Sequence, residues 1–276
     1  PTLGKVRLDR LTPDRVQRLY AHYQKQGKSR TALKCHRALS QALALAVRWG
    51  WLASSPCARV DPPKHRYQRK ELWTLDQVQT FLNGSKGHWL YPLWLTLLAS
   101  GCRLGEAMAL TWADVDLDAG TLQVCKTLQR VNGEILITEP KTKSGERLIA
   151  LPSEVVQVLK QQRGRQIFAQ AQGWQNPLGL VFPSPFGRPL QRSVVSHCLR
   201  RECRRLALPP MTPHGLRHLH ASLLLAAGLP VPAVSQRLGH ANPGVTMAIY
   251  AHALHKDDRA AAEALSRALN GKGGAL

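Results

Sequence analysis

Tyr250 stands ten residues after His240 in the run Leu238-Gly239-His240-Ala241-Asn242-Pro243-Gly244-Val245-Thr246-Met247-Ala248-Ile249-Tyr250-Ala251-His252, and His214 and Arg217 share the upstream run Thr212-Pro213-His214-Gly215-Leu216-Arg217-His218. Thr212 and Pro213 are helix-start residues, which puts His214 in a first turn whose unpaired backbone N–H groups and macrodipole favour an anion. Arg217, three positions on, shares that face. A titratable imidazole beside a guanidinium at a helix start suits a phosphate. A third cluster, Gly101-Cys102-Arg103-Leu104-Gly105-Glu106, puts an arginine at the turn into another helix. Each of these is bland alone: Arg and Glu three apart often pair on a surface, a single Tyr in a helix is usually half-buried packing, and a single His is usually structural.

The elements that must position these residues follow from periodicity and punctuation. Thr12-Pro13 opens a helix to about residue 26, and a second helix is expected from about Arg30 to Trp49. On it Arg30, Lys34, Arg37, Gln41 and Arg48 form one stripe, with Ala32, Leu39, Ala42, Leu43 and Ala46 opposite. That stripe is a candidate contact for DNA phosphates, against the alternative of an ordinary solvated face. Asp61-Pro62-Pro63-Lys64-His65-Arg66 reads as a linker, and Thr74 to Gln77 as a capping box, so the domain boundary falls near 61–73; the domains are taken as 1–66 and 67–276. Apolar helical runs occupy 75–83 and 88–111. Three alternating segments, Thr121–Lys126, Glu134–Thr138 and Arg147–Leu151, predict one small antiparallel sheet. Helices are then expected at 153–170, 191–206, 213–227, 232–238, 243–253 and 260–269. The fold class is mostly α with a small antiparallel sheet, in two domains.

Charge narrows the partner. The 276 residues carry 38 Lys/Arg against 17 Asp/Glu, a net charge of +21. Residues 1–70 alone hold 16 basic against 3 acidic side chains. Such a surplus points to a polyanion, with nucleic acid favoured over a membrane. The longest apolar run, Trp89 to Ser100, contains Pro92 and is far short of the roughly 20 residues of a bilayer span. No secretory signal is seen at residues 1–10, so a cytoplasmic, nucleoid-associated setting is expected. Six cysteines without a C-x-x-C pair are read as reduced thiols.

Taken in order, Arg103, the basic hairpin Pro140-Lys141-Thr142-Lys143-Ser144-Gly145-Glu146-Arg147, His214-x-x-Arg217, Leu238-Gly239-His240 and Tyr250 resemble the signature of the tyrosine recombinases, the phage integrase family. Leu3-Gly4-Lys5 through Leu11-Thr12-Pro13 also looks like the middle of that family's core-binding domain, so the resemblance spans nearly the whole chain. It implies a helical core-binding domain, its start falling after the family's first helix, joined to a catalytic domain in a C-shaped clamp around double-stranded DNA. It further implies strand cleavage through a 3′-phosphotyrosyl intermediate, a free 5′-hydroxyl, a Holliday junction, and no metal or nucleotide cofactor. Two transesterifications conserve phosphoester bonds, so no energy source is required. A homotetramer on two DNA sites is implied, with residues 255–270 exchanged between neighbours against the alternative of packing on their own subunit, and accessory DNA-bending or directionality factors are compatible partners.

Carried onto matching positions, Arg103 and Arg217 would clamp the scissile phosphate, His214 would act as general base, His240 would hydrogen-bond the phosphate or the attacking oxygen, and Tyr250 would be the nucleophile. A lysine of the hairpin would protonate the leaving 5′ oxygen; Lys141, at a strand end, is favoured over Lys143 in the turn because a strand holds a reagent more firmly. Glu106 is given an orienting role. Other chemistries fit poorly. His214, His218 and His220 lack an H-E-x-x-H pattern and surround a cationic Arg217, which disfavours a metal. Asp114, Asp116 and Asp118 mimic the start of a calcium loop but lack its glycine and glutamate. No G-x-S-x-G or Walker A pattern occurs. The rivals left are a DNA-relaxing enzyme of related chemistry and a noncatalytic DNA-binding protein on the same fold.

Overall fold

The computed structural model describes residues 3–64, 72–139 and 145–240, with Asn242, Gly244 and Met247. The chain divides into two compact units, Pro1–Glu71 and Leu72–Leu276.

In the first unit, α1 (Pro13–Lys25) is capped by the Thr12 hydroxyl, which accepts from Arg15 N, and has Pro at its first position, where a missing N–H costs nothing. It packs against α2 (Ser29–Arg48) around Val16, Leu19, Tyr20, Ala32, Leu43 and Cys57. Tyr20 is fully buried, and its hydroxyl bonds His36 Nδ1 at 2.9 Å. The core face of α2 is narrower than the sequence suggested: Ala32, Leu43 and Ala46 are buried, Leu39 is half-buried, and Ala42 is exposed. One short helix covers only a narrow strip of α2, and a methyl group at the strip's margin gains little by burial.

In the second unit, α3 (Leu75–Gly84) starts at a complete capping box, with Gln77 N donating to the Thr74 hydroxyl and Thr74 N donating to the Gln77 side chain. The apolar helical run over 88–111 is two helices, divided at the turn expected before Arg103. α4 (Tyr91–Ser100) is almost wholly buried and ends at Gly101, in the left-handed region at φ +66°. α5 (Leu104–Ala109) follows after a sharp turn. An L residue at that φ is strained, and a Cβ there would lie 2.5 Å from His220 Cδ2 and 2.9 Å from Leu238 Cδ2. The break thus sets Arg103 at the head of a new helix.

The sheet is also divided. β1 (Val115–Asp116), β2 (Thr121–Val124) and β5 (Arg147–Ala150) form a three-stranded antiparallel sheet in which Leu122 faces Val115 on one side and Ile149 on the other. β4 (Glu134–Thr138), expected in that sheet, pairs instead with β3 (Thr127–Val131), a strand not foreseen, across the two-residue turn Asn132-Gly133. Both turn residues have positive φ, as a tight hairpin requires, so the hairpin closes on itself. Asp114 and Asp116 serve local backbone: Asp114 accepts from Thr111 N and its hydroxyl, and Asp116 from Asp118 N and Ala119 N.

Four further helices, α6 (Ser153–Ala171), α7 (Arg192–Arg205), α8 (Pro213–Ala226) and α9 (Val231–Leu238), complete the described part. α4 lies at the centre, against α6 and α8. Trp94, Leu97, Leu159, Leu199, Leu216 and Leu219 are each at most 1% exposed, so the floor of the unit is rigidly packed. The helices expected at 243–253 and 260–269 lie outside the described residues, apart from isolated positions.

Gly101→Ala combines left-handed strain with overpacking and is expected to destabilise the second unit by about 2–4 kcal/mol. Denaturant unfolding checks this; an unchanged midpoint would show that α4 does not need its glycine stop.

Candidate active site

The end of α9 organises the site. A helix leaves its last carbonyls without helical partners, and its C-terminus carries partial negative charge that favours cations. Gly239, at φ +68°, closes α9, with Gly239 N donating to Gln236 O and His240 N to Ser235 O. The next three carbonyls are each taken by a different arginine. Arg147 Nε donates to Arg237 O at 2.7 Å, Arg217 Nη2 to Leu238 O at 2.7 Å, and Arg103 Nη2 to Gly239 O at 3.2 Å. Arg217 also donates through Nη1 to Gly101 O at 2.7 Å, tying α8 to the turn after α4.

Glu106 joins two of these arginines from below. It is 5% exposed; its Oε1 accepts from Arg103 Nη1 at 2.7 Å, and its Oε2 from Arg147 Nη2 and from Arg103 N, both at 2.8 Å. Burial pushes its carboxyl up, but the arginines more than offset that and hold it below the usual range, so it stays ionised. Both oxygens are occupied, which leaves the positive charge of the cleft largely uncompensated. Arg103 projects outward, its side chain 47% exposed, whereas Arg217 is 3% exposed. Burial first, then Arg103, brings the Arg217 guanidinium down to about 10, still charged at neutral pH.

The histidines near these cations are held neutral. His214 is lowered by burial, Arg217 and Arg103, and its ring meets that of His218 edge-on at 4.3 Å. Burial, Arg217 and Arg103 push His240 down to about 4. His218 also falls to about 4, through burial, His214 and Arg217. His220 is different in kind. It is 5% exposed, its Nδ1 donates to Leu98 O at 2.8 Å, and its Nε2 accepts from Arg237 Nε at 3.2 Å. The second bond requires the neutral ring, and burial with the Arg237 charge lowers it to about 4.

A surface cleft of about 420 Å³ opens over this arrangement, lined by Arg103, His214 and Arg217, with Thr127, Arg192 and Ser196 on its flank. The structure therefore brings Arg103, His214, Arg217 and His240 together. Neutral imidazoles and fixed guanidinium groups in one cleft can grip a phosphodiester and move a proton beside it. Lys141 and Lys143 lie outside the described residues, as does Tyr250. Arg30, Lys34, Arg37 and Arg48 are all exposed along α2 of the other unit. Among the described residues no cluster of His, Cys, Asp and Glu could hold a metal, and no helix is long and apolar enough to cross a membrane.

Sequence reasoning missed Arg147 and Arg237 as organisers. Arg147 is 8% exposed, and Arg237 donates to Ala99 O and Ala150 O besides His220, tying α9 to α4 and β5. No residue pattern marks either one, because the carbonyls they bind lie far away in the chain. Arg192 and Ser196 carried no signal.

His220 ties acid stability to this network. A ring lowered from about 6.5 to about 4 takes up protons in the unfolded chain first, so its stabilisation is complete above about pH 6.5 and is lost as pH falls toward 4. It is worth up to roughly 3 kcal/mol. Urea unfolding between pH 7.5 and 4.5 should show this slope, and His220→Gln should flatten it; equal slopes in both proteins would contradict the assignment.

Residues 72–257 match the phage integrase family. The XerC-like tyrosine recombinase of Caldanaerobacter subterraneus subsp. tengcongensis is 29% identical over 272 residues, which cover 91% of this chain and 70% of that one. An integrase of Streptomyces ambofaciens is 27% identical, over 91% of this chain and 67% of its own. The integrase of transposon Tn1549, solved in complex with transposon right end DNA, superposes with a TM-score of 0.83 at 26% identity, over 96% of this chain and 89% of that one. Lambda integrase bound to a core site shares the fold, with a TM-score of 0.66 at 19% identity over 90% of this chain and 82% of its own. Family, fold and cleft agree: this chain belongs to the phage integrase family and is a tyrosine-type site-specific recombinase.

Proposed function

We propose that this chain recombines double-stranded DNA by cutting and rejoining strands through a covalent bond between Tyr250 and a 3′ phosphate. The observation that carries this reading is the convergence of Arg103, Arg217 and His214 on one cleft, with His240 close enough to feel both arginines, from three segments far apart in the sequence.

In the reaction, the Tyr250 oxygen attacks the scissile phosphorus, a P–O bond to Tyr250 forms, and the P–O5′ bond breaks. Charge on the phosphoryl oxygens grows as phosphorus becomes five-coordinate, and Arg103 and Arg217 lie fixed where that charge develops. A free phenol has a pKa of about 10 and needs a base at neutral pH. His214, neutral in the free cleft, accepts the phenol proton, and His240 hydrogen-bonds the phosphate or the attacking oxygen. The phosphodiester anion offsets the field of the arginines, so His214 binds a proton more tightly once DNA is seated than in the empty cleft. Lys141 donates the proton that the O5′ leaving group requires. Attack by a 5′-hydroxyl from the other duplex reverses the step, restores Tyr250 and yields a Holliday junction after one exchange.

The arginine-rich stripe Arg30, Lys34, Arg37 and Arg48 contacts the DNA backbone, and residues 1–66 serve as the core-binding domain beside the catalytic domain 67–276. A tetramer on two sites, linked by exchange of residues 255–270, supplies four nucleophiles for two duplexes. Work on DNA in the bacterial nucleoid follows from this reading, with DNA-bending or directionality factors as helpers.

The test uses a nicked suicide duplex bearing the site recovered by sequencing DNA bound in cells. The intact chain should form a covalent adduct that Tyr250→Phe abolishes, and Arg217→Ala should slow its formation by roughly 10²–10³-fold. An adduct surviving in Tyr250→Phe would move the nucleophile elsewhere, and none from the intact chain would favour a noncatalytic DNA-binding role. A bridging 5′ sulfur needs no proton on departure, so it should rescue Lys141→Ala; rescue of Lys143→Ala alone would transfer the acid to Lys143.

A further inference from the structure

The cleft holds more positive charge than one phosphodiester balances. Arg103 and Arg217 already face the anion of the proposed reaction, Glu106 is spent on Arg103 and Arg147, and the neighbouring histidines are neutral. Arg192, at the start of α7, nevertheless lines the same cleft, with Ser196 one helical turn along the same face. Its guanidinium lies across Gly105 of α5, where a Cβ would come 2.5 Å from Arg192 Nη2 and 3.0 Å from Leu128 O. The glycine is the space that admits it. Among the described residues it makes one bond, a long one from Nη2 to Leu128 O at 3.5 Å, so most of its five donors stay available. Arg192 also lines the adjoining groove bounded by Gln129 and Arg130 of β3, and so stands between the catalytic cleft and the next stretch of surface.

Resting on the function proposed above, we propose that Arg192, assisted by Ser196, takes a second backbone phosphate of the strand being cut and so fixes that strand in register over the cleft. Duplex DNA presents a phosphate about every 3.4 Å of helix axis on each strand, so a strand with one phosphate between Arg103 and Arg217 carries the next along the wall of the cleft. A guanidinium held in one orientation there matches two phosphate oxygens at once. Arg192 is a positioning residue: it grips a phosphate that does not react.

Two readouts test this, the first independent of cleavage. Binding of the full chain to a duplex of about 30 base pairs is followed over a salt series. Arg192→Ala should weaken it on the order of tenfold at low salt and flatten the slope of log K against log salt by about one, whereas Arg192→Lys keeps the slope. In the second, neutral methylphosphonates replace single phosphates beside the nick of the suicide duplex. One position should slow adduct formation by the intact chain on the order of tenfold and have no further effect on Arg192→Ala. Arg192 is exposed and, among the described residues, makes one long hydrogen bond, so its removal leaves the fold intact, which matched unfolding midpoints would verify. An unchanged salt slope overturns the proposal, as does multiplication of the two losses. Altered preference between DNA sequences at unchanged slope also overturns it and points to a base edge. Where the intact chain gives no adduct, the cleavage reading fails and the salt slope still decides the role of Arg192.

Discussion

Three consecutive carbonyl oxygens at the end of a short helix, each accepting from a different arginine, hold this site together. The carbonyls of Arg237, Leu238 and Gly239 receive Arg147, Arg217 and Arg103, which arrive from a strand, a helix and a helix start widely separated in the chain. Like charges brought this close repel, and their burial is costly. The oxygens of a helix C-terminus, the Glu106 carboxylate and the Gly101 carbonyl offset both costs without adding a competing anion at the mouth of the cleft. The cations are therefore in position before a phosphate arrives, and little reorganisation remains for the moment of reaction.

The same field determines the protonation of its neighbours. His214, His218 and His240 are neutral beside fixed guanidinium groups and burial. Neutral rings can accept protons, whereas imidazolium in the empty cleft would only add to the repulsion. His220 takes no part in the chemistry: its neutral ring accepts from Arg237, and Arg237 in turn fixes α9 against α4 and β5. A histidine in the core and an arginine in a last turn thus set where Gly239 and His240 lie.

Local punctuation made much of this legible from sequence. Thr12-Pro13, Thr74 with Gln77 and Thr212-Pro213 each start a helix through bonds reaching only three residues, so the amino acids nearby suffice to reveal them. Gly239 after Leu238 marked a helix end for the same reason. The turn at Gly101 was legible in the same way, but the close approach of His220 and Leu238 that leaves no room for a side chain there was not. β3 was missed because Thr127–Val131 alternates weakly, and its pairing depends on the Asn132-Gly133 hairpin more than on its own residues. Arg147 and Arg237 were illegible as organisers because their partners lie 90 and 138 residues away, at carbonyls that carry no residue signature. Arg192 belongs with them, since only the fold shows that Gly105 makes room for it.

Backbone carbonyls immobilise the guanidinium groups in the absence of DNA, and nitrogen-15 NMR of arginine side chains in the DNA-free protein observes this directly. Resonances assigned by single Arg→Lys substitutions should show slow N–H exchange and hindered rotation for Arg217, Arg147 and Arg103, with Arg37 on the exposed stripe exchanging freely. Free exchange at Arg103 and Arg217, indistinguishable from Arg37, would contradict the claim that the phosphate clamp is built before its substrate arrives.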